Sequence, residues 1–198
     1  MIIIGLTGGI ASGKTTMTNF LKKKRIKVHD SDLVVKNVYS KPTPRFINYL
    51  KKINLKKSLE KNKINKKTIR DEIFNNPKKR KLLEKYLHTE TKKSRNIFLK
   101  KHKKERTKIV FLDIPLLFEN KLEKICNYTI LLYAPLKTRK LRAIKRRGMK
   151  KTALERIIKR QLGDRIKKKK ADFIINTSAK KSLCFNEISK IIKLIKDK

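Results

Sequence analysis

The sequence predicts an α/β protein: a five-stranded, mostly parallel sheet with helices on both faces. Three observations predict it. Short apolar, β-branched runs alternate with stretches of helical periodicity, the pattern of a sheet wound by βα units. The first run passes through a glycine-rich turn straight into a helix, residues 8–15 reading Gly8-Gly9-Ile10-Ala11-Ser12-Gly13-Lys14-Thr15. Two further runs end on acidic residues, Asp30 and Asp113, at the strand ends where open α/β sheets bind ligands.

Residues 1–6, Met1-Ile2-Ile3-Ile4-Gly5-Leu6, read as a buried strand. The turn after it has the spacing G-x-x-x-x-G-K-[ST], the loop that wraps nucleotide phosphates. Charged oxygens there must meet backbone N–H groups, and side chains would block that approach, so Gly8, Gly9 and Gly13 omit the Cβ. Lys14 brings a cation to the terminal phosphates, and the Thr15 hydroxyl is placed to ligate Mg²⁺. The following helix, with Met17, Phe20 and Leu21 at helical spacing, adds the positive end of its dipole.

Residues 26–29 alternate around Ile26 and Val28 and read as a second strand, ending at Asp30-Ser31-Asp32. Two readings of the aspartates stand. They cap the next helix, marked by Leu33, Val34 and Val38, or one of them orients or deprotonates an acceptor hydroxyl beside the phosphate loop. From Lys41 to Arg106 the pattern changes: Pro42 and Pro44 break the chain, and Lys-rich helical stretches follow. Thr68 to Phe74 is a short helix, Asn75-Asn76-Pro77 a turn, and a long helix runs from Pro77 to near Lys101. A lone histidine on a helix, such as His88, is more often structural than catalytic.

Residues 108–112 form a continuous apolar run that delivers Asp113, as an acidic residue is delivered toward Mg²⁺ in phosphate-loop enzymes. The next stretch, Ile114-Pro115-Leu116-Leu117-Phe118-Glu119, is apolar where loops are normally polar. It is either a loop that fills the core or the apolar wall of a substrate pocket. Residues 128–133 are a fourth strand. Pro135 begins a basic helix with Arg139, Arg142, Arg146 and Arg147, ended by Gly148. Either these arginines clamp phosphates with their planar forks, or they form a solvated basic face. Ala153 to Leu162 is another amphipathic helix, residues 172–175 are the last strand, and Ile188, Ile191, Ile192 and Ile195 mark a C-terminal helix packed on the sheet.

The 198 residues suit one domain with an insertion, and the formal net charge is +41. So basic a chain suggests nucleic-acid binding. The lysines, however, are scattered through almost every segment, and no aromatic residues interleave with them as a base-stacking platform. A solvated surface is the favoured reading, with no specific nucleic-acid partner. Cys126 and Cys184 form no metal or redox motif and read as buried thiols. The N-terminal apolar run is too short for a signal peptide or membrane span, so the expected compartment is the cytoplasm.

These residues together resemble the dephospho-CoA kinase family, through nearly the whole chain. Leu6 to Thr15 is similar to that family's phosphate loop, although the family more often has glycine at Ala11; a methyl is a mild change there with φ negative. Asp30-Ser31-Asp32 resembles the family's acidic pair. Ile73-Phe74, Asn76-Pro77, Arg80, Leu83-Glu84 and His88 resemble its substrate-binding helices, with Thr89 where proline is usual. The most specific match is Pro115 to Glu119. Arg142, Arg146 and Gly148 resemble the lid, and Gln161, Lys167 and Ala171 to Asn176 the closing segment.

The resemblance implies a P-loop kinase fold, with a core at 1–40, 107–136 and 171–198, a helical acceptor-binding insertion at about 41–106 and a lid at about 137–170. It implies transfer of the γ-phosphoryl of ATP to the ribose 3′-hydroxyl of dephospho-CoA. Asp32, Lys14, Arg142 and Arg146 would be catalytic. Gly9, Ile10, Ala11, Ser12, Gly13, Lys14, Thr15, Thr16 and Arg142 would bind ATP. Thr7, Asp32, Phe74, His88, Leu116 and Glu119 would bind the acceptor. Thr15 would hold Mg²⁺, with Asp113 helping through water. The expected state is a monomer or weak homo-oligomer without a membrane partner. The alternatives are another small nucleotide or nucleoside kinase, against which Pro115 to Glu119 argues, and a basic phosphate-loop protein that binds RNA.

Overall fold

A computed structural model describes residues 1–60, 63–74, 76–145 and 149–197. Arg146, Arg147 and Gly148, and Asn75 of the expected turn, lie outside the described residues. In chain order the first elements are β1 (Ile2–Gly8), α1 (Lys14–Lys23), β2 (Lys27–Asp30), α2 (Ser31–Ser40), α3 (Pro44–Lys52), β3 (Leu59–Glu60), β4 (Lys63–Ile64), α4 (Lys66–Phe74) and α5 (Pro77–Lys104). Then follow β5 (Ile109–Asp113), β6 (Tyr128–Tyr133), α6 (Leu136–Ile144), α7 (Lys151–Lys159), α8 (Asp164–Lys170), β7 (Phe173–Asn176) and α9 (Lys181–Lys196). Two compact units result: Met1–Asp30 with His102–Lys198, and Ser31–Lys101.

The first unit holds the expected five-stranded sheet, in the order β2-β5-β1-β6-β7. Every neighbouring pair in it is parallel. The order puts β1 at the centre. From there the chain fills one side with β2 and β5 and the other with β6 and β7, so the loop after β1 emerges where the winding reverses, the crevice of such sheets. The register sets Asp113 beside Leu6 of β1 and opposite Asp30 of β2, so the acidic strand ends share one edge with that loop.

Apolar strand residues such as Ile4, Leu6, Phe111, Ile130 and Leu132 pack against Met17 and Leu21 of α1 and Ile188, Ile191, Ile192 and Ile195 of α9. The isoleucines recur at helical spacing and form one buried stripe, as the sequence predicts. Phe20 and Phe185 stack with centroids 4.1 Å apart, joining the two helices. The apolar stretch after β5 turns inward: Ile114, Leu117 and Phe118 are buried and fill the core, while Leu116 stays half-buried. A side chain at Gly5 would meet Leu117 Cδ2 at 3.0 Å and Cys126 Sγ at 2.8 Å, so the close fit of this loop needs a glycine in β1. Cys184 is buried as expected, but Cys126 is half-buried, since it caps a short turn near the surface.

The second unit has its own core, built on Phe46, Leu50, Leu55, Ile69, Leu83 and Tyr86. Thr43 accepts a hydrogen bond from Phe46 N at 3.3 Å and Pro44 follows at the first helical position, so α3 starts where the sequence demands. The segment is not wholly helical: β3 and β4 pair antiparallel. Strands of two residues are too short to show an alternating pattern, which is why a helical reading missed them.

In the 137–170 region, α7 (Lys151–Lys159) starts earlier and stops earlier than the expected 153–162 helix, which it overlaps, and α8 is an added helix. Lys167 of α8 is 1% exposed. It is neutralised by Glu119, whose Oε1 lies 2.8 Å from Nζ and also accepts from Leu162 N at 2.9 Å. Removing one partner of a buried pair strands a charge. Lys167→Ala should therefore cost about 3–5 kcal/mol, measured by urea denaturation. Lys168→Ala, which loses only the contact of its ammonium with the Tyr133 ring, should cost about 1 kcal/mol or less.

Candidate functional site

The loop between β1 and α1 is shaped by close approach. A Cβ at Gly8 would meet Leu132 O at 2.6 Å and collide with Ser12 Oγ. Ser12 N donates to Gly9 O at 3.1 Å and closes the turn. Gly13 precedes α1 at φ 89°, a left-handed conformation that glycine takes at no steric cost. Ala11 departs from expectation: its φ is +57°, so the methyl is not the mild change that a negative φ would make it. A non-glycine residue there costs about 1–2 kcal/mol. Part of that is offset because the methyl is buried against Ala143 and Leu154, with Ile10 and Ile158 beside it.

Two ion pairs flank this loop. On the β5 side, Lys14 Nζ lies 3.8 Å from Asp113 Oδ1, and Thr18 Oγ1 donates to Asp113 Oδ2 at 2.6 Å. On the β6 side, the Arg139 guanidinium rests on Gly9: it donates through Nε to Ala134 O at 2.9 Å and through Nη2 to both Asp164 oxygens at 2.6 and 2.8 Å. Gln161 Oε1 accepts from Ile10 N at 3.0 Å. Arg142 donates to Thr177 O at 2.7 Å, and Thr177 Oγ1 donates to Ser12 O at 2.9 Å, so the segment after β7 is tied to the loop.

These ties enclose a cavity of about 430 Å³ lined by Ala11, Gly13, Thr16, Arg142, Thr177 and Phe185, among others. Its size suits a small ligand, and it opens beside the first turn of α1. Cys184 also lines it; burial, then the charge of Glu187, pushes its thiol up. The arrangement can hold a phosphate chain along the loop, with an apolar-walled recess for the group attached.

Residues Gly9 to Thr16 and Arg142 are thus brought together, with Thr15 and Thr16 exposed at the start of α1. Thr7 is buried and its Oγ1 donates to Pro115 O at 3.1 Å. Glu119 is turned toward Leu162 and Lys167. In the second unit, Asp32 is exposed in the first turn of α2, Phe74 ends α4 half-exposed, and His88 is exposed on α5. Sequence reading missed Thr177, which only the topology brings beside Ser12. It named Arg139 as one arginine of a basic helix; the signal that sets it apart is the unpaired-looking Asp164 far along the chain.

A protein-family model described as dephospho-CoA kinase matches residues 2–182. The chain is 36% identical to the dephospho-CoA kinase of Bartonella henselae over 178 residues, 89% of each chain. It is 31% identical to that of Fusobacterium nucleatum over 196 residues, 98% of this chain and 99% of the other. The solved dephospho-CoA kinase from Campylobacter jejuni is similar at a TM-score of 0.73 and 26% identity, covering 98% of this chain and 97% of that one.

Thr18 is 1% exposed and holds the carboxylate that faces Lys14. Thr18→Val keeps the shape but removes one hydrogen bond donated to a buried carboxylate. It should cost about 1–3 kcal/mol, read as a shift in the urea midpoint.

Proposed function

We propose the following division of labour from the premise that the chain belongs to the dephospho-CoA kinase family. The chain is an ATP-dependent kinase with the phosphate-loop fold, and its reaction moves the γ-phosphoryl of ATP to the ribose 3′-hydroxyl of dephospho-CoA, giving CoA and ADP. The observation that carries the reading is the loop itself: Lys14, backed by Asp113 and Thr18, between Gly13 and Thr16, which line the cavity together with Arg142 and Thr177.

The backbone N–H groups of the loop other than those of Ile10 and Ser12, which already donate to Gln161 Oε1 and Gly9 O, receive the β- and γ-phosphates, helped by the N-terminus of α1. Lys14 leaves Asp113 to meet the terminal phosphates. Adenosine occupies the recess beside Arg142. The Thr15 hydroxyl, a hard oxygen donor, would hold Mg²⁺, with the Asp113 carboxylate helping through water. A Mg²⁺ held there would supply charge neutralisation of the phosphates. Asp32 orients the acceptor hydroxyl and accepts its proton. Arg142, with Arg146, offsets charge as ADP departs. Phosphoryl transfer needs positioning and electrostatic stabilisation above all, so this cast suffices.

In this reading the insertion at about 41–106 is the acceptor-binding segment, and the acceptor-binding residues are Thr7, Asp32, Phe74, His88, Leu116 and Glu119. The segment from about 137 to 170 acts as the lid that excludes water from the γ-phosphate. The reading includes a cytoplasmic monomer or weak homo-oligomer with no specific nucleic-acid partner. The scattering of the lysines supports the last point; among the described residues no helix is long and apolar enough to cross a membrane.

Purified protein should release ADP from Mg-ATP when dephospho-CoA is added, and far less with AMP or adenosine; stimulation by a rival acceptor would overturn the acceptor assignment alone. Asp32→Asn should lower turnover by about 10²–10⁴-fold while ATP affinity stays near that of the parent. Unchanged turnover would make Asp32 a helix cap.

A further inference from the structure

The buried arginine beside the phosphate loop has no part in the reaction as assigned above. Arg139 is 5% exposed. Burying a guanidinium is unfavourable unless its charge and donors are met, and an apolar side chain would fill the same space more simply. Here Nε and Nη2 are committed to Ala134 O and Asp164, and Nη1 rests on the Cα face of Gly9, where any Cβ would collide with it. Gly9 therefore serves close approach to Arg139, since its φ is not among the positive ones.

The neighbouring loop residues are held from the same side. Gln161 takes the Ile10 N–H, and its Oε1 lies 3.4 Å from the Cβ position of Gly9. Ala11, next along, keeps a left-handed conformation that an alanine leaves when free to do so. Strain of this kind persists only where the surroundings over-determine the backbone. Gly9, Ile10 and Ala11 are each fixed by α6, α7 or the Gln161–Asp164 segment, none of which belongs to the loop.

We infer that Arg139, anchored by Asp164, is a positioning residue for nucleotide binding: it braces Gly9 so that the strained Ala11 turn is already in its phosphate-accepting form before ATP arrives. The inference rests on the proposed nucleotide site. It acts through the loop backbone, so it concerns ATP and ADP and not the acceptor. Because the brace opposes the strain at Ala11, the two are coupled. Replacing Ala11 with glycine removes the strain and with it most of the need for the brace.

The test is a double-mutant cycle on the full chain, read by calorimetric ATP and ADP binding with Mg²⁺, alongside Tm and the KM for dephospho-CoA. Arg139→Gln should weaken ATP and ADP binding about tenfold, the factor that about 1.4 kcal/mol of unrestrained loop produces. The KM for dephospho-CoA should hold. In an Ala11→Gly background the same substitution should weaken binding only about twofold. Asp164→Asn, at a partly exposed position, tests the anchor if Arg139→Gln does not fold, and should weaken binding in the same direction and with the same dependence on Ala11. A lowered Tm with unchanged nucleotide affinity, or an equal loss in both backgrounds, overturns the brace and leaves Arg139 a packing strut. Parent protein that binds no ATP overturns the nucleotide site itself, and is seen before any variant is compared.

Discussion

The loop between β1 and α1 lies hard against the end of β6, and much of the first unit follows from that contact. Leu132 O stands where a Cβ of Gly8 would be, and the Arg139 side chain stands where one of Gly9 would be. Backbone can pass there and side chains cannot. The same narrowness needs β1 at the centre of the sheet with β6 as its neighbour. The remaining strands, the inward loop at Ile114 to Phe118 and the stripe of isoleucines on α9 hold that centre in place.

The fold was legible because its signals are local. A β-branched run, a glycine loop and an amphipathic helix are each read within a few residues, and all five strands of the sheet lie within two residues of where the sequence puts them. The β3–β4 hairpin was not legible, because two-residue strands carry no period. The site was legible in the phosphate loop, where a fixed spacing encodes backbone geometry. It was illegible where partners are distant in the chain. Nothing in the sequence pairs Arg139 with Asp164, Thr177 with Ser12, or Glu119 with Lys167; each needs the topology first. Ala11 shows a different limit. Its identity suggests ordinary backbone, whereas in the turn closed by Ser12 N and Gly9 O its φ is positive.

Charge divides the molecule in two. Against 57 basic residues stand only 16 acidic ones. Several of those few sit where a cation is buried or nearly so: Asp113 at Lys14, Glu119 at Lys167 and Asp164 at Arg139. Most lysines face solvent, where mutual repulsion is screened by salt and each contributes little. The interior pairs are screened far less, so added salt should relax the surface while leaving the site's own electrostatics in place.

The pairing of Lys167 with Glu119 bears on how such a chain can evolve. A surface lysine can arise, vanish or become arginine with little effect, so composition can drift far toward basic residues. A carboxylate such as Glu119 neutralises one cation and accepts from Leu162 N at once, so its loss leaves both without that partner. Mutational tolerance is therefore concentrated on one sign of charge. The solvated lysines are the replaceable charges of this chain, and the few interior acids are the ones that its buried cations require.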